Sequence, residues 1–213
     1  KIYCIGGYNS DGDAVGVNEV YDPATDTWET KAYMRTVRVG LKANAVNGKI
    51  YLIGGYLPGE YTTDTFTSSS LNEAYDIATD SWSKKTPLPT ATNSYASAVI
   101  DKKIYLIGGV TANRSDLNQI YDTETDTWSQ GAESPWTIAY GDAGVTLGVD
   151  APRRIYVLSR DFNTADVVIR VYDPALDAWS SGAALPSGHR SASVAVVDDM
   201  LYAIEIGRAS CRE

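Results

Sequence analysis

Histidine is almost absent from this chain: His189 is the only one among 213 residues. No pair of imidazoles exists to hold a metal, and no histidine relay can move protons, so neither a catalytic constellation nor a metal centre is expected. Cysteine is nearly as scarce, with Cys4 and Cys211 alone, which excludes a disulfide framework and zinc-type spacing. No window holds enough apolar residues to span a bilayer. Positive charge is short too: 18 Lys and Arg stand against 27 Asp and Glu, for a net charge of −9 and a pI near 4.6. The basic footprint that nucleic acid or an anionic membrane needs is missing. Nothing in the sequence suggests a helix.

What the chain has instead is repetition. The octet Tyr-Asp-x-x-x-Asp-x-Trp occurs four times, at Tyr21/Asp22/Asp26/Trp28, Tyr75/Asp76/Asp80/Trp82, Tyr121/Asp122/Asp126/Trp128 and Tyr172/Asp173/Asp177/Trp179. The Trp-to-Trp separations are 54, 46 and 51 residues, so the octet is fixed while the connecting segments vary, as in stacked repeats. Ahead of the octets stand Lys-Ile-Tyr-Cys-Ile-Gly-Gly at residues 1–7 and Lys-Ile-Tyr-Leu-Ile-Gly-Gly at 49–55 and 103–109. Degenerate copies follow at Ile155-Tyr156-Val157-Leu158 and Leu201-Tyr202-Ala203-Ile204. These apolar runs read as strands. Their apolar character is continuous, which a strand shows when both faces of its sheet are covered.

Each repeated residue has a physical reading. Gly-Gly lets the chain leave the sheet sharply, because glycine reaches positive φ at no steric cost. Tyr-Asp-Pro-Ala at 21–24 and 172–175 sets Asp and Pro where a type I turn wants them. Asp26, Asp80, Asp126 and Asp177 then fit side-chain-to-backbone turns that close the hairpin. Each octet Trp is expected to bury ~150–250 Å² by packing between repeats.

On Gly6-Gly7, Gly54-Gly55, Gly108-Gly109, the four Tyr-Asp pairs and the four Trp at a seven-residue offset, the chain up to Ile204 resembles the kelch-repeat family. That resemblance implies an all-β propeller with one four-stranded blade per repeat. The repeat style, Tyr-Asp-Pro-Ala-Thr-Asp-Thr-Trp with Asn-Gly-Lys-Ile-Tyr, is similar to prokaryotic kelch proteins, which leans the compartment toward extracytoplasmic or cell surface. In the second blade the strands are expected near Leu41–Val46, Lys49–Ile53, Leu71–Tyr75 and Ser81–Lys84. Inner strands of the next two fall near Tyr95–Ile100 and Gly144–Gly148. The count is three whole blades and two partial ones, with blade boundaries near residues 33, 87, 134 and 185. Closed propellers have typically 4–8 blades, and at about 50 residues per repeat the chain reads as a fragment of an incomplete ring. Its last segment, Glu205-Ile206-Gly207-Arg208-Ala209-Ser210-Cys211-Arg212-Glu213, departs from the repeat and looks like the one-frame translation of a sequencing adapter. Residues 205–213 are therefore expected to be non-native, which leaves Cys4 as a small hydrophobe in a strand.

Function is expected between the octets. In kelch propellers the loops after Gly-Gly and the loops leading into each inner strand gather on one face, and that face commonly binds partners. The first set here spans 8–18, 56–72, 110–118 and 159–166; the second contains Arg38, Thr92, Asn93, Trp136, His189 and Arg190. The loop from Tyr56 to Asn72 carries Tyr56, Tyr61 and Phe66 among Thr and Ser. Exposed aromatics there suit a binding surface, and the other reading has them fold back to pin the loop. Trp136 is open to the same two readings. Arg114, Arg160, His189 and Arg190 are the basic groups placed to meet an acidic peptide or a carboxylated sugar, and Arg38 stands where the resemblance implies an Arg. Asp11-Gly12-Asp13 reads as a solvated turn rather than a calcium loop, since further oxygen ligands at regular offsets are missing. Asn113-Arg114-Ser115 is a formal glycosylation sequon. Two functions follow from the resemblance: a non-enzymatic module binding a protein or peptide, or a carbohydrate-active propeller of the mutarotase or galactose oxidase-like kind using Arg38, His189 and Arg190. No cofactor is expected for the first. The oxidase form of the second needs two His at its copper, and this chain has one.

Overall fold

Every octet folds as a tight hairpin. Its Tyr and Trp face each other across the two strands, as in Tyr21↔Trp28, Tyr75↔Trp82, Tyr121↔Trp128 and Tyr172↔Trp179, with ring centroids 4.9–5.2 Å apart. The computed structural model describes residues 1–62, 65–111, 116–138, 142–146, 153–160, 167–185, 193–198 and 200–204. Among them are strands and turns and no helix.

Strands β1 (Ile2–Ile5), β2 (Asn18–Asp22) and β3 (Thr27–Thr30) form a three-stranded antiparallel sheet. Next come β4 (Ala43–Val46), β5 (Lys49–Ile53), β6 (Tyr56–Thr62), β7 (Thr65–Ser68), β8 (Asn72–Asp76) and β9 (Ser81–Lys84). Of these, β4-β5-β8-β9 make one four-stranded blade, and β6-β7 stand apart as a hairpin. The third blade is β10 (Ala96–Ile100), β11 (Lys103–Ile107), β12 (Asn118–Asp122) and β13 (Thr127–Gln130). The fourth is β14 (Asp142–Thr146), β15 (Arg154–Arg160), β16 (Val167–Asp173) and β17 (Ala178–Ala184). A last pair, β18 (Ser193–Val197) and β19 (Met200–Ile204), ends the described chain. The architecture is thus three whole blades and two partial ones. The hairpin β6-β7 stands where the sequence reading has a loop, and β14 starts two residues earlier than expected. Residues 205–213 lie outside the described residues.

The core lies between consecutive sheets. Met34, Ile50, Leu52, Tyr75 and Trp82 pack with Tyr3 and Ile5 between the first and second blades. Ile53, Ala74, Leu106 and Tyr121 do so between the second and third, and Ile107, Ile138, Ile155, Val157 and Tyr172 between the third and fourth. This is why β5 and β11 are apolar without alternation: Leu52, Ile53, Ile104 and Ile107 are fully buried because a sheet covers each face.

The octet also ties each blade to the one before it. Asp80, in the left-handed region at φ 48°, accepts the Tyr75 hydroxyl at 2.7 Å and the Ala32 N–H of the preceding blade at 2.8 Å. The Trp82 indole N–H donates to the Ala32 carbonyl at 2.7 Å. One residue of the preceding blade is gripped at both its N–H and its C=O. The grip recurs on Thr86, held by Asp126 and Trp128 at 2.9 and 3.0 Å, and on Ala132, held by Asp177 and Trp179 at 2.6 and 2.8 Å. The second octet Asp therefore does more than close its own turn. That task falls to the first: Asp22, Asp76, Asp122 and Asp173 accept turn N–H groups at 2.9–3.2 Å. Trp28 departs from the expected burial, being 58% exposed, with no preceding sheet among the described residues for its indole to grip.

These contacts hold the carboxylates ionised. The Ala32 N–H, with the Tyr75 hydroxyl, keeps Asp80 below the ordinary carboxylate range, and the Tyr172 hydroxyl, with the Ala132 N–H, does so for Asp177. Asp76 is lowered by Lys49 and Asp122 by the Thr125 N–H. Groups whose pKa is depressed by folding add stability above the unfolded value, about 3.9 for Asp, and lose it as pH falls through the folded value. Thermal midpoints are expected to hold between pH 7 and 5 and to fall steeply below pH ~4. A midpoint at pH 3 equal to that at pH 5 would contradict this reading of the clamps.

Candidate functional site

The two loop sets meet through paired backbone. Val39 and Tyr56 exchange N–H···O bonds of 3.1 and 2.9 Å, and Asn93 and Val110 do the same at 3.2 and 2.7 Å. Both are short antiparallel bridges between the segment leading into an inner strand and the segment leaving Gly-Gly. Gly54 and Gly108 turn back to their own blades, donating to the Leu71 and Leu117 carbonyls. Gly55 and Gly109 face forward and donate to the Thr92 and Ile138 carbonyls of the next blade at 2.9 and 2.7 Å. The close approach demands glycine: a Cβ on Gly108 would stand 2.1 Å from the Ile138 carbonyl oxygen, at φ +67°. The Gly-Gly pair is thus both an exit from the sheet and a seam between blades.

On that scaffold the aromatic and polar side chains are arranged across blades. The Tyr8 and Tyr56 hydroxyls are 3.0 Å apart, joining the first and second blades, and Tyr8 is 53% exposed. The Tyr56 ring lies against Gly40, where a Cβ would meet it at 2.8 Å. The Ser94 N–H donates to the Gly40 carbonyl at 2.7 Å, and the Ser94 hydroxyl donates to Asn93 Oδ1 at 2.9 Å. Asn93 Nδ2 donates to Ser68 Oγ at 2.9 Å, and Ser68 Oγ to the Val110 carbonyl at 3.0 Å. The hairpin β6-β7 is rooted here. Its backbone pairs Tyr56 with Ser68 and, past a bulge, Tyr61 with Phe66. Tyr95 fastens the seam from beneath, its buried hydroxyl donating to the Ile53 carbonyl at 2.5 Å. Burial pushes that phenol well above its ordinary pKa.

Arg38 is not displayed on this face. It is 1% exposed, and its guanidinium donates to the carbonyls of Gly54 at 2.8 Å, Leu71 at 2.9 Å and Leu52 at 3.4 Å, and to the Glu73 carboxylate at 2.8 Å. Its charge is spent inside the blade, which removes it from the groups available to a carboxylated ligand. The equivalent tie in the third blade is neutral: Thr92 Oγ1 donates to the Gly108 carbonyl at 3.3 Å, while Gln119 exchanges bonds of 2.9 and 3.0 Å with the Thr90 backbone. In the fourth blade Arg170, aligned with Glu73 and Gln119, lies under Trp136 with its guanidinium carbon 4.1 Å from the ring centroid. Trp136 is half-buried, with one face covered in this way. Three chemistries serve one joint between the lead-in loop and the third strand.

Of the residues singled out from sequence, the structure brings Tyr56 and Asn93 together across one bridge network, with Asn93 buried beneath the surface. It places Tyr61 and Phe66 opposite each other in the hairpin and Arg160 at the end of β15. Arg114, His189 and Arg190 lie outside the described residues. Asp11-Gly12-Asp13 is a turn closed by Asn9, whose Oδ1 accepts the Asp11 and Asp13 N–H groups at 3.1 and 2.8 Å. Sequence reasoning passed over Tyr8, Ser68 and Ser94. Aligning the first residue after each Gly-Gly brings out Tyr8, Tyr56 and Val110, which stand at one structural position.

A family model described as the KLHDC2/KLHL20/DRC7 Kelch-repeats domain matches residues 1–204. The chain belongs to the kelch-repeat family. It is 32% identical over 109 residues to the kelch repeat and BTB domain-containing protein 1 of cowpox virus (strain Brighton Red), a match covering 51% of this chain and 18% of the viral protein. It is 35% identical over 107 residues to the F-box/kelch-repeat protein At1g67480 of Arabidopsis thaliana, covering 50% of this chain and 26% of that protein. The matched kelch segment is about a quarter or less of each of these relatives. Among the described residues no helix is long and apolar enough to cross a membrane.

Proposed function

We propose that this kelch propeller is a non-enzymatic interaction module that binds a protein or peptide through the face built by its two loop sets. The observation that carries the reading is the Tyr8–Tyr56 hydroxyl pair, half open to solvent and seated on backbone bridges that fix the surrounding loops. Aromatic side chains held on a rigid base are the usual anchors of a protein interface. The BTB and F-box names of the relatives fit a propeller that serves as one module of a larger protein. Burial of Arg38 takes one of the three basic residues of the sugar reading away from a ligand.

Selection of a phage-displayed peptide library on the chain is expected to enrich sequences that compete with one another. A combined Tyr8→Ala and Tyr56→Ala variant is expected to bind the enriched peptides at least tenfold more weakly, as loss of two anchors of about 1–2 kcal/mol each implies, with its β-sheet circular dichroism kept. Enriched peptides that bind the variant as tightly as the parent would place recognition elsewhere.

A further inference from the structure

On the opposite face, where the tight turns gather, the third and fourth blades are separated by a cleft of about 690 Å³. That volume is within the range of small-molecule sites. Its walls include Ile100, Tyr105, Pro174 and Ala175. The junction one blade earlier shows why it is open. There the side chain of Thr123, the third octet residue, meets the hydroxyl of Tyr51 across the junction, while its N–H and hydroxyl hold the Lys102 carbonyl of its own blade at 3.0 and 2.8 Å. Ile77 likewise donates its N–H to Gly48. Pro174 occupies this position in the fourth blade, and it has neither N–H nor hydroxyl to give. Tyr105 is the counterpart of Tyr51, each packed in a tilted ring contact against the octet Tyr of the following blade at 6.1 and 5.7 Å. Tyr105 is 6% exposed overall, its hydroxyl has no hydrogen-bond partner among the described residues, and that oxygen is open to solvent at the cleft.

We infer that this cleft is a second binding site, taking a neutral ligand with an apolar body and one hydrogen-bond acceptor directed at the Tyr105 hydroxyl. Burial, with the charges of Asp101 and Asp177, raises the Tyr105 pKa, so the phenol stays a donor at neutral pH. An acceptor placed on that hydroxyl takes the hydrogen bond it otherwise gives to solvent. The rim selects against net charge because it is already balanced: Lys102 pairs with Glu124, Arg153 of the fourth blade with Asp101 of the third, and Lys103 lies beside Asp122. An anion or a cation entering there meets a compensated partner of each sign. The apolar walls reward burial of an aliphatic or aromatic body.

Benzamide carries that chemistry at minimal size, and benzoate and benzylammonium are its charged counterparts. Titrating each into the methyl-labelled chain, we expect benzamide to shift the Ile100 and Ala175 methyl resonances saturably, with a dissociation constant of about 1–10 mM. The two ions are expected to bind at least fivefold more weakly. Tyr105→Phe is expected to weaken benzamide at least fivefold without lowering the melting temperature, because the hydroxyl bonds no other described residue. Pro174→Thr, which restores the hydroxyl present in the third blade, is expected to abolish the saturable shifts. The proposal is overturned by unsaturable or absent shifts in the parent chain, by benzoate or benzylammonium binding as well as benzamide, or by equal benzamide affinity in Tyr105→Phe. Neither tyrosine of the loop face takes part, so these outcomes are independent of the peptide selection.

Discussion

Glu73→Ala is expected to lower the free energy of unfolding by about 3–5 kcal/mol, the usual effect of removing one partner from a buried ion pair. Glu73 and Arg38 are 0% and 1% exposed, so the deletion leaves a guanidinium in the core with backbone carbonyls and no counter-charge. The large effect comes from that stranded charge rather than from the pair's own attraction. The third blade supplies the control, since it builds the same joint from Thr92 and Gln119. A combined Arg38→Thr and Glu73→Gln variant is therefore expected to recover more than half of the loss in urea titrations. Equal losses in the single and double variants would mean that Arg38 matters through its bonds to Gly54, Leu71 and Leu52 instead.

Gly108→Ala is expected to be comparably damaging, at about 3–5 kcal/mol. A left-handed φ of +67° costs a side-chain-bearing residue ~1–2 kcal/mol, and displacing the backbone to relieve overpacking adds ~1–3 kcal/mol. The new Cβ would lie 2.1 Å from the Ile138 oxygen, prising the third blade from the lead-in of the fourth. Gly48 isolates the two contributions. It has φ +72° with nothing within 4 Å of a built Cβ, so Gly48→Ala is expected to cost only about 1–2 kcal/mol. Similar melting temperatures for the two alanine variants would show that the seam tolerates separation.

Much of the architecture was legible because it is periodic in sequence. The octets, the Gly-Gly pairs and the apolar runs each recur in phase, and strands β5, β9 and β8 fall within a residue of their expected spans. What the pattern concealed is whatever reaches between repeats. Asp80 looks like a turn residue because its turn is local, while the Ala32 N–H it accepts is 48 residues away. Arg38 reads as a surface cation because charged residues are seldom buried without a partner, and Glu73 is 35 positions further on. The signal was present as substitution between copies: Arg38 with Glu73 in one blade, Thr92 with Gln119 in the next. The hairpin β6-β7 was hidden differently. Its Thr and aromatic residues have strand propensity, but among the described residues it belongs to one blade, and its sequence is not repeated in the others.

The octet clamps all point the same way along the chain. Trp82 grips Ala32, 50 residues upstream, and Trp128 and Trp179 grip Thr86 and Ala132. During synthesis the gripped peptide always emerges first, so every new blade finds its anchorage already made. At ribosomal rates of ~5–20 residues per second, successive latches arrive roughly 3–10 s apart, ample time for a four-stranded sheet to form before the next one docks. The direction of the clamps favours assembly from the amino end, one blade at a time.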